Sequence, residues 1–179
     1  WGNMEKEGVY MGEQVQRMST NYRSNFARLA RLLCEKGDTL RAIKTLDRCM
    51  EIMPPNKIQI DYFSVYLADA YYKSGGDQKA NDLMSILINK YISELEWYIN
   101  QEDYIAVKLG NEVNKSLQYL RNIKYFLSRN IELMRLKDGV GLESAEQLLK
   151  VISEFEKANN NKIDRFMKRI EKASKKSRR

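Results

Sequence analysis

The sequence predicts an all-α protein, and three observations support this prediction. Apolar residues recur with a period of 3.6 residues from about Thr20 onward, which is the spacing of one face of an α-helix. The chain of 179 residues contains only two prolines, so long uninterrupted helices are permitted. No stretch alternates between apolar and polar residues for long enough to predict a β-strand.

A first pair of helices is predicted on either side of Gly37. Glycine readily takes the left-handed backbone conformation that follows a helix C-terminus, so the first helix is expected to end there. Asp38 or Thr39 can cap the second helix. Pro54 and Pro55 are expected to end it, because proline cannot continue the helical hydrogen bonds.

The rest of the chain continues the helical pattern. A second pair is predicted around the glycines at 75–76, and Asp77 is expected to cap its second helix. A long helix over about 103–137 follows, and its apolar residues keep the four- and three-residue spacing of a helix-packing seam. The stretch DGVG at 138–141 is expected to break this helix, and the asparagines at 159–161 are expected to separate two further amphipathic helices.

These elements predict four segments. Residues 1–19 form an irregular lead-in, 20–100 two helix pairs, 101–161 an atypical capping helical pair, and 162–179 a basic C-terminal helix and tail. Nine basic and two acidic residues in the last segment account for the formal net charge of +7, and the rest of the chain is balanced. The basic surface of a nucleic-acid-binding domain is therefore not expected, and no nucleic-acid partner is predicted.

The two helix pairs repeat one another with a period of 38 residues, the distance from Ala42 to Ala80. Internal periods of this size are typical of helical repeat proteins. The large and small residues of the first pair follow one order: Phe26, Leu29, Ala30, Leu33, Ala42, Leu46 and Pro54. In this order the first pair resembles the tetratricopeptide repeat. The second pair departs from the pattern at Ser64 and Ile92, where a large residue and a proline belong.

This resemblance implies a tetratricopeptide-like helical repeat with two recognisable helix pairs, capped by a longer helical pair. Small residues at Ala30 and Ala42 would let the two helices of a pair approach closely. Some cap is needed, because an isolated repeat cannot bury its apolar face.

A second resemblance rests on WGNMEKEGVYM at 1–11, MSTNYRSNFARLARLL at 18–33, AIKTLDRCMEIMP at 42–54 and AYYKSGG at 70–76. These stretches resemble the C-terminal region of a family of large bacterial multi-pass membrane proteins, whose N-terminal domain is related to glycosyltransferases that use lipid-linked sugars, including protein O-mannosyltransferases. The resemblance implies the soluble tail domain of a membrane-associated parent chain and favours the periplasmic side, whereas two reduced cysteines would suit the cytoplasm, so the side stays open. The opening at Trp1 also leads us to expect a piece of a longer protein.

The residue inventory does not favour an enzyme. The absence of histidine excludes Ser-His-Asp and Cys-His catalysis and every metal site that needs histidine. Cys34 and Cys49 are too few for a disulfide scaffold or a structural zinc site, so we expect two buried, reduced thiols. No position matches the catalytic acids of the glycosyltransferase family. We therefore predict no catalytic residue, no metal and no cofactor.

The first helix of each pair is expected to line a groove that suits an extended peptide or an acidic terminus. The predicted groove residues are Arg31, Tyr62, Asp69, Tyr72 and Lys73. The same positions also suit an ordinary solvated face, or a groove filled by the lead-in or by the last helix.

The basic tail is the other candidate surface, because an apolar stripe with a basic flank can lie on an anionic membrane. The predicted contacts are Lys168, Arg169, Lys172, Lys175 and Lys176. The alternative is a terminal helix docked on the domain through Phe166 and Ile170.

Together these observations predict a non-catalytic helical-repeat module. Its partner would be a protein or peptide, or the membrane part of its own parent chain. A purely structural or dimerisation role is the alternative, followed by a membrane-surface or RNA-binding role of the basic tail.

Overall fold

The computed structural model describes residues 6, 8–137 and 139–177, without the side chains of 103, 104, 106, 107 and 173–177. Within this part the chain forms six α-helices and no β-strand, which confirms the all-α prediction. The helices are α1 (Glu13–Glu35), α2 (Thr39–Ile52), α3 (Val65–Ser74), α4 (Asp77–Ile99), α5 (Asp103–Leu136) and α6 (Leu142–Ser177). None of these helices, over the described residues, carries an apolar stretch long enough to cross a membrane.

The backbone at the turn within each of the first two helix pairs follows the predicted chemistry. Gly37 and Gly75 have φ angles of +79° and +86°, in the left-handed region that glycine enters without steric cost. The Asp38 carboxylate accepts a hydrogen bond from the Arg41 backbone N–H at 3.0 Å and caps α2. The prediction that Asp77 caps α4 is wrong, because Gly76 occupies the cap position and Asp77 is the first helical residue.

Helix α1 begins at Glu13, inside the segment 1–19 that is predicted to be irregular. The periodicity of apolar residues does not predict the first turns of α1, because the residue that they bury is Ser19 rather than an apolar side chain. The Ser19 hydroxyl donates to the carbonyl oxygen of Val15 at 2.7 Å, which satisfies it inside the helix. Residues 1–5 and 7 of the predicted lead-in lie outside the described part of the chain.

Helix α6 runs without a break through the asparagines at 159–161, where the sequence predicts a separation. The side-chain amide of Asn159 donates to the carbonyl oxygen of Phe155 one turn earlier, at 3.1 Å. This bond to the helix's own backbone accommodates a residue that otherwise favours turns. The predicted boundary between 101–161 and 162–179 therefore does not coincide with a helix end.

Contacts between helices follow their order in the chain. Helix α1 contacts α2 and α3, α3 contacts α4 and α5, and α4 contacts α5 and α6. Ala30 and Ala42 of the first pair are fully buried, and so are Ala68 and Ala80 at the corresponding positions of the second pair. Small side chains at these points allow the helix axes to approach closely.

A buried arginine holds the connection between α2 and α3. The Arg23 side chain on α1 is 1% exposed. Its guanidinium donates to the carbonyl oxygens of Met53 and Ile58, each at 2.7 Å, and of Gln59 at 2.8 Å. Burial lowers the pKa of Arg23, and the nearby thiol of Cys49 and carboxylate of Asp61 oppose this shift. An arginine remains charged at neutral pH, so the contact consists of three charge-assisted hydrogen bonds.

We expect replacement of Arg23 with leucine to lower the free energy of unfolding by about 3 kcal/mol or more, because three buried carbonyl groups lose their donor. Chemical denaturation of both proteins measures this difference. Arg28→Leu, at an exposed position of the same helix, is the matched control and should change the free energy of unfolding by less than about 0.5 kcal/mol. Equal free energies of unfolding for Arg23→Leu and the parent protein would contradict the stabilising role of Arg23.

Candidate functional site

The faces of α1 and α3 that meet at the surface enclose a groove, with a cavity of about 180 Å³. We call it the α1–α3 groove. Its lining residues are Ser24, Ala27, Arg28, Arg31, Tyr66, Asp69 and Ala70. The α1 members recur at three- and four-residue spacing and therefore share one helix face, as do Tyr66, Asp69 and Ala70 on α3.

Arginine side chains dominate the α1 side of the groove. Arg31 is exposed and its Nε lies 3.7 Å from the Glu35 carboxylate, one helical turn on. Within the described residues Arg28 has no ion-pair partner, and its side chain is exposed. Exposed pairs of this kind contribute little to stability, so both guanidinium groups are free to exchange solvent or a neighbour for an anionic ligand.

Asp69 lies on the α3 side and is buried in a network of cations and amides. Its carboxylate accepts from Lys73 Nζ at 2.8 Å, from Arg129 Nη2 of α5, and from the side-chain amide of Asn130 at 3.3 Å. Two positive charges therefore compensate one carboxylate, and the α3 side of the groove adds no net negative charge. The bonds from Arg129 and Asn130 also attach α5 to α3.

An aromatic strip extends the groove from α3 onto α5. The rings of Tyr66 and Phe126 meet edge to face at 5.9 Å between centroids, and those of Phe126 and Tyr125 at 6.1 Å. The Arg129 guanidinium lies 5.4 Å from the Phe126 ring centroid, within the range of a cation–π contact. Tyr66 and Tyr125 are exposed, so the strip offers flat apolar surface beside the arginines.

The five predicted groove residues do not all line the same groove. Arg31 and Asp69 line the α1–α3 groove together. Tyr62 instead stacks on Tyr119 of α5, with the ring planes 8° apart and the centroids 4.1 Å apart, and its hydroxyl accepts from the Asn122 amide. This contact shows that α5, rather than the lead-in or the last helix, covers that end of the face.

Tyr72 and Lys73 line a different cavity of about 330 Å³, between the ends of α3 and α5 and the start of α4. The Tyr72 hydroxyl is buried and donates to the side-chain oxygen of Asn81 at 2.6 Å. Burial raises the pKa of Asp77 in this cavity, and Lys137 opposes the shift. The lining thus contains both cations and the Asp77 carboxylate, whose charged form burial disfavours. It does not present charge of one sign to a ligand.

Arg28, Tyr66 and the aromatic strip are not among the predicted groove residues. Arg28 precedes Arg31 by three residues, and Tyr66 precedes Asp69 by three, so helical spacing could have found both. Phe126 and Arg129 come from α5, and no local motif indicates which of its faces meets α3.

The basic tail is only partly described. Lys168 and Lys172 are exposed. Arg169 donates to the carbonyl oxygen of Gln101 at 3.0 Å and lies against the Phe166 ring. Phe166 is fully buried, as the docked alternative expects. The side chains of Lys175 and Lys176 lie outside the described part, and contact with a membrane surface stays a prediction.

No group of three or more potential metal-ligating side chains occurs among the described residues. No protein-family model, curated protein or solved structure matches the chain. The two family resemblances therefore stay predictions, and a proposed function has to rest on the geometry of the α1–α3 groove and the aromatic strip.

The two cysteines are free thiols in different surroundings. Burial raises the pKa of Cys49 to about 12, against the opposing effect of Arg23. Burial also raises the pKa of the partly exposed Cys34 thiol, although Lys73 lowers it. The native fold therefore keeps both in the protonated form at neutral pH, and Cys49 is also inaccessible.

We expect a thiol reagent at pH 8 to modify Cys34 slowly and Cys49 not at all in the native protein, because the thiolate is the reactive species. Mass spectrometry of the labelled protein counts the modified thiols and locates them. Both cysteines should react at equal rates in denaturant. Labelling of Cys49 before Cys34 under native conditions would contradict the burial assigned to it.

Proposed function

We propose that the chain is a non-catalytic, tetratricopeptide-like helical-repeat module that binds an extended acidic segment of a partner protein in the α1–α3 groove. The observation that carries this proposal is the juxtaposition of Arg28 and Arg31 with the exposed ring of Tyr66. Guanidinium groups bind carboxylates through paired, charge-assisted hydrogen bonds, and an aromatic ring beside them gives apolar contact area.

The order of helix contacts supports the helical-repeat part of the proposal. The first helices of the successive pairs contact one another in the sequence α1, α3, α5. Buried alanines recur at corresponding positions of the first two pairs. In helical repeats of this kind each unit contacts its neighbours, and the first helices form one continuous surface.

The charge around the groove favours an acidic partner. Two basic side chains and one acidic side chain line the groove, and two further basic residues and one further acidic residue are paired with them. The basic residues are Arg28, Arg31, Lys73 and Arg129, and the acidic ones are Glu35 and Asp69. Because Asp69 is already bonded to two cations and Arg31 is paired with Glu35, Arg28 carries the charge without an ion-pair partner that a ligand meets first.

The wider biological setting stays a proposal drawn from the sequence resemblance. We propose that the module belongs to a membrane-associated, glycosyltransferase-like parent and faces the periplasm. The exposed Lys168 and Lys172 lie on α6, which packs against α4 and α5 and lines no part of the α1–α3 groove. A purely structural role is the competing function, and it predicts no ligand for the groove.

Short fluorescent peptides of alternating Glu and Tyr test the acidic-ligand proposal, with Lys–Tyr peptides as the opposite-charge probe. We expect fluorescence anisotropy to show binding of the acidic peptide alone, and salt to weaken it. Arg31→Glu should raise the dissociation constant at least about tenfold, a loss of about 1.4 kcal/mol.

Arg48→Glu is the matched control for this substitution. Arg48 is an exposed arginine on α2 that pairs with Glu51 on its own helix, much as Arg31 pairs with Glu35. It lies outside the groove, so its reversal changes the net charge equally and should leave the dissociation constant within about twofold. Equal losses in the two variants, or equal binding of acidic and basic peptides, would contradict a specific site.

A further inference from the structure

The cavity of about 330 Å³ between the ends of α3 and α5 and the start of α4 is separate from the α1–α3 groove, since the two share no lining residue. We call it the α3–α5 cavity. The residues of its lining that matter for ligand binding are Asp77, Asn130, Leu133, Met134, Lys137 and Val140. Small-molecule sites begin at about 300 Å³, so the cavity has the volume of a site for a small ligand.

Asn130 supplies the first hydrogen-bond acceptor of this cavity that lacks a donor. Asn130 is 1% exposed, and its side-chain nitrogen donates to the Phe126 carbonyl oxygen at 2.8 Å and to Asp69 Oδ1 at 3.3 Å. Both amide hydrogens are thereby used. The side-chain oxygen Oδ1 is buried and has no hydrogen-bond partner among the described residues. A buried acceptor in this state costs stability until a donor reaches it.

The Asp77 carboxylate is the second acceptor. Asp77 is 9% exposed, and within the described part of the chain it accepts no hydrogen bond and forms no ion pair. The Tyr72 hydroxyl, which lines the same cavity, donates to Asn81 instead. Burial raises the pKa of Asp77, as expected for a carboxylate whose charge is poorly compensated. A cationic donor in the cavity would compensate that charge.

The lining also offers a positive charge and an apolar surface. Lys137 is exposed and has no ion-pair partner among the residues that the structure describes, whereas Lys73 is bonded to Asp69. Lys137 lies close enough to Asp77 to oppose the rise of its pKa. Three apolar side chains of the lining lie on or just after α5: Leu133, Met134 and Val140.

We propose that the α3–α5 cavity binds a free α-amino acid with an apolar side chain. The ammonium group of such a ligand carries three hydrogen-bond donors and no acceptor, which suits the Asp77 carboxylate and the Asn130 oxygen. The ligand's carboxylate pairs with Lys137, and its side chain contacts the apolar lining. A simple anion would leave the buried acceptors without donors, and a simple cation would leave Lys137 unpaired. This site is independent of the acidic-segment site in the α1–α3 groove.

Isothermal titration calorimetry of the unmodified chain with L-leucine, L-methionine and L-valine tests the proposal. We expect saturable binding at one site per chain. N-acetyl-leucine lacks the ammonium charge and isopentylamine lacks the carboxylate, so each should bind at least about tenfold more weakly than leucine. Absence of saturable binding for all three amino acids would overturn the proposal, as would N-acetyl-leucine binding as tightly as leucine.

Substitution of Asp77 tests the location of the site. Asp77→Asn keeps the shape of the side chain and removes its charge, and it should raise the dissociation constant for leucine at least about tenfold. Asp82→Asn is the matched control, because Asp82 is an exposed carboxylate on the same helix and lies outside the cavity. It should leave the dissociation constant within about twofold. Thermal unfolding verifies that both variants are folded, and equal losses of affinity in the two would overturn the site.

Substitution of Lys137 tests the orientation of the ligand. Lys137→Gln should weaken leucine binding at least about tenfold and leave isopentylamine binding unchanged, because the amine has no carboxylate to pair. Lys115→Gln, at an exposed position of α5 outside the cavity, is the control and should affect neither ligand. Weakening of leucine and isopentylamine by the same factor in Lys137→Gln would contradict the assigned orientation.

Discussion

A fully buried arginine on the first helix reaches the backbone of the segment that leads into α3, and the placement of α3 depends on this contact. The carbonyl oxygens of Met53, Ile58 and Gln59 point toward one guanidinium. Buried carbonyl groups need donors, and a loop between two helices has few of its own to offer. Arg23 supplies three from a rigid helix, so the loop has one favoured path, and α3 meets α1 at one register. The α1–α3 groove exists because of that register.

The second constraint is the bond from α3 to α5 at Asp69. A carboxylate with little solvent access needs compensating charge, and Lys73 and Arg129 supply it from two different helices. This network places Arg129 and Phe126 beside Tyr66, and so extends the groove as an aromatic strip. Asp69 therefore acts on the candidate site by orienting its neighbours, while Arg28 and Arg31 offer the exposed charge. The site combines a floor held together by this charge network with solvated cations at its edge.

The all-α class, the helix ends at Gly37 and Gly75 and the cap at Asp38 could be predicted because each depends on a few neighbouring residues. The start of α1 and the continuity of α6 could not be predicted in this way. Ser19 is buried although it is polar, and Asn159 lies inside a helix although asparagine favours turns. Each side chain bonds to the backbone of its own helix. Two of the five predicted groove residues, Arg31 and Asp69, line the groove. Tyr62 and Tyr72 instead contact partners on α5 and α4. The sequence alone would suggest that Arg23 is an ordinary surface cation. For Tyr62 and Arg23 the deciding partner is distant in the chain, beyond the reach of local periodicity.

The most direct measurement of the central claim is a map of ligand-induced changes in the NMR spectrum of the isotope-labelled chain during titration with a Glu–Tyr peptide. Such a map requires no substitution, so it separates the location of a site from the stability of the fold. The account predicts saturable shifts at residues 24–31 of α1, 66–70 of α3 and 126–129 of α5, with little change on α6. Shifts confined to another surface, or none at peptide concentrations well above micromolar, would contradict the assignment of the α1–α3 groove as a binding site.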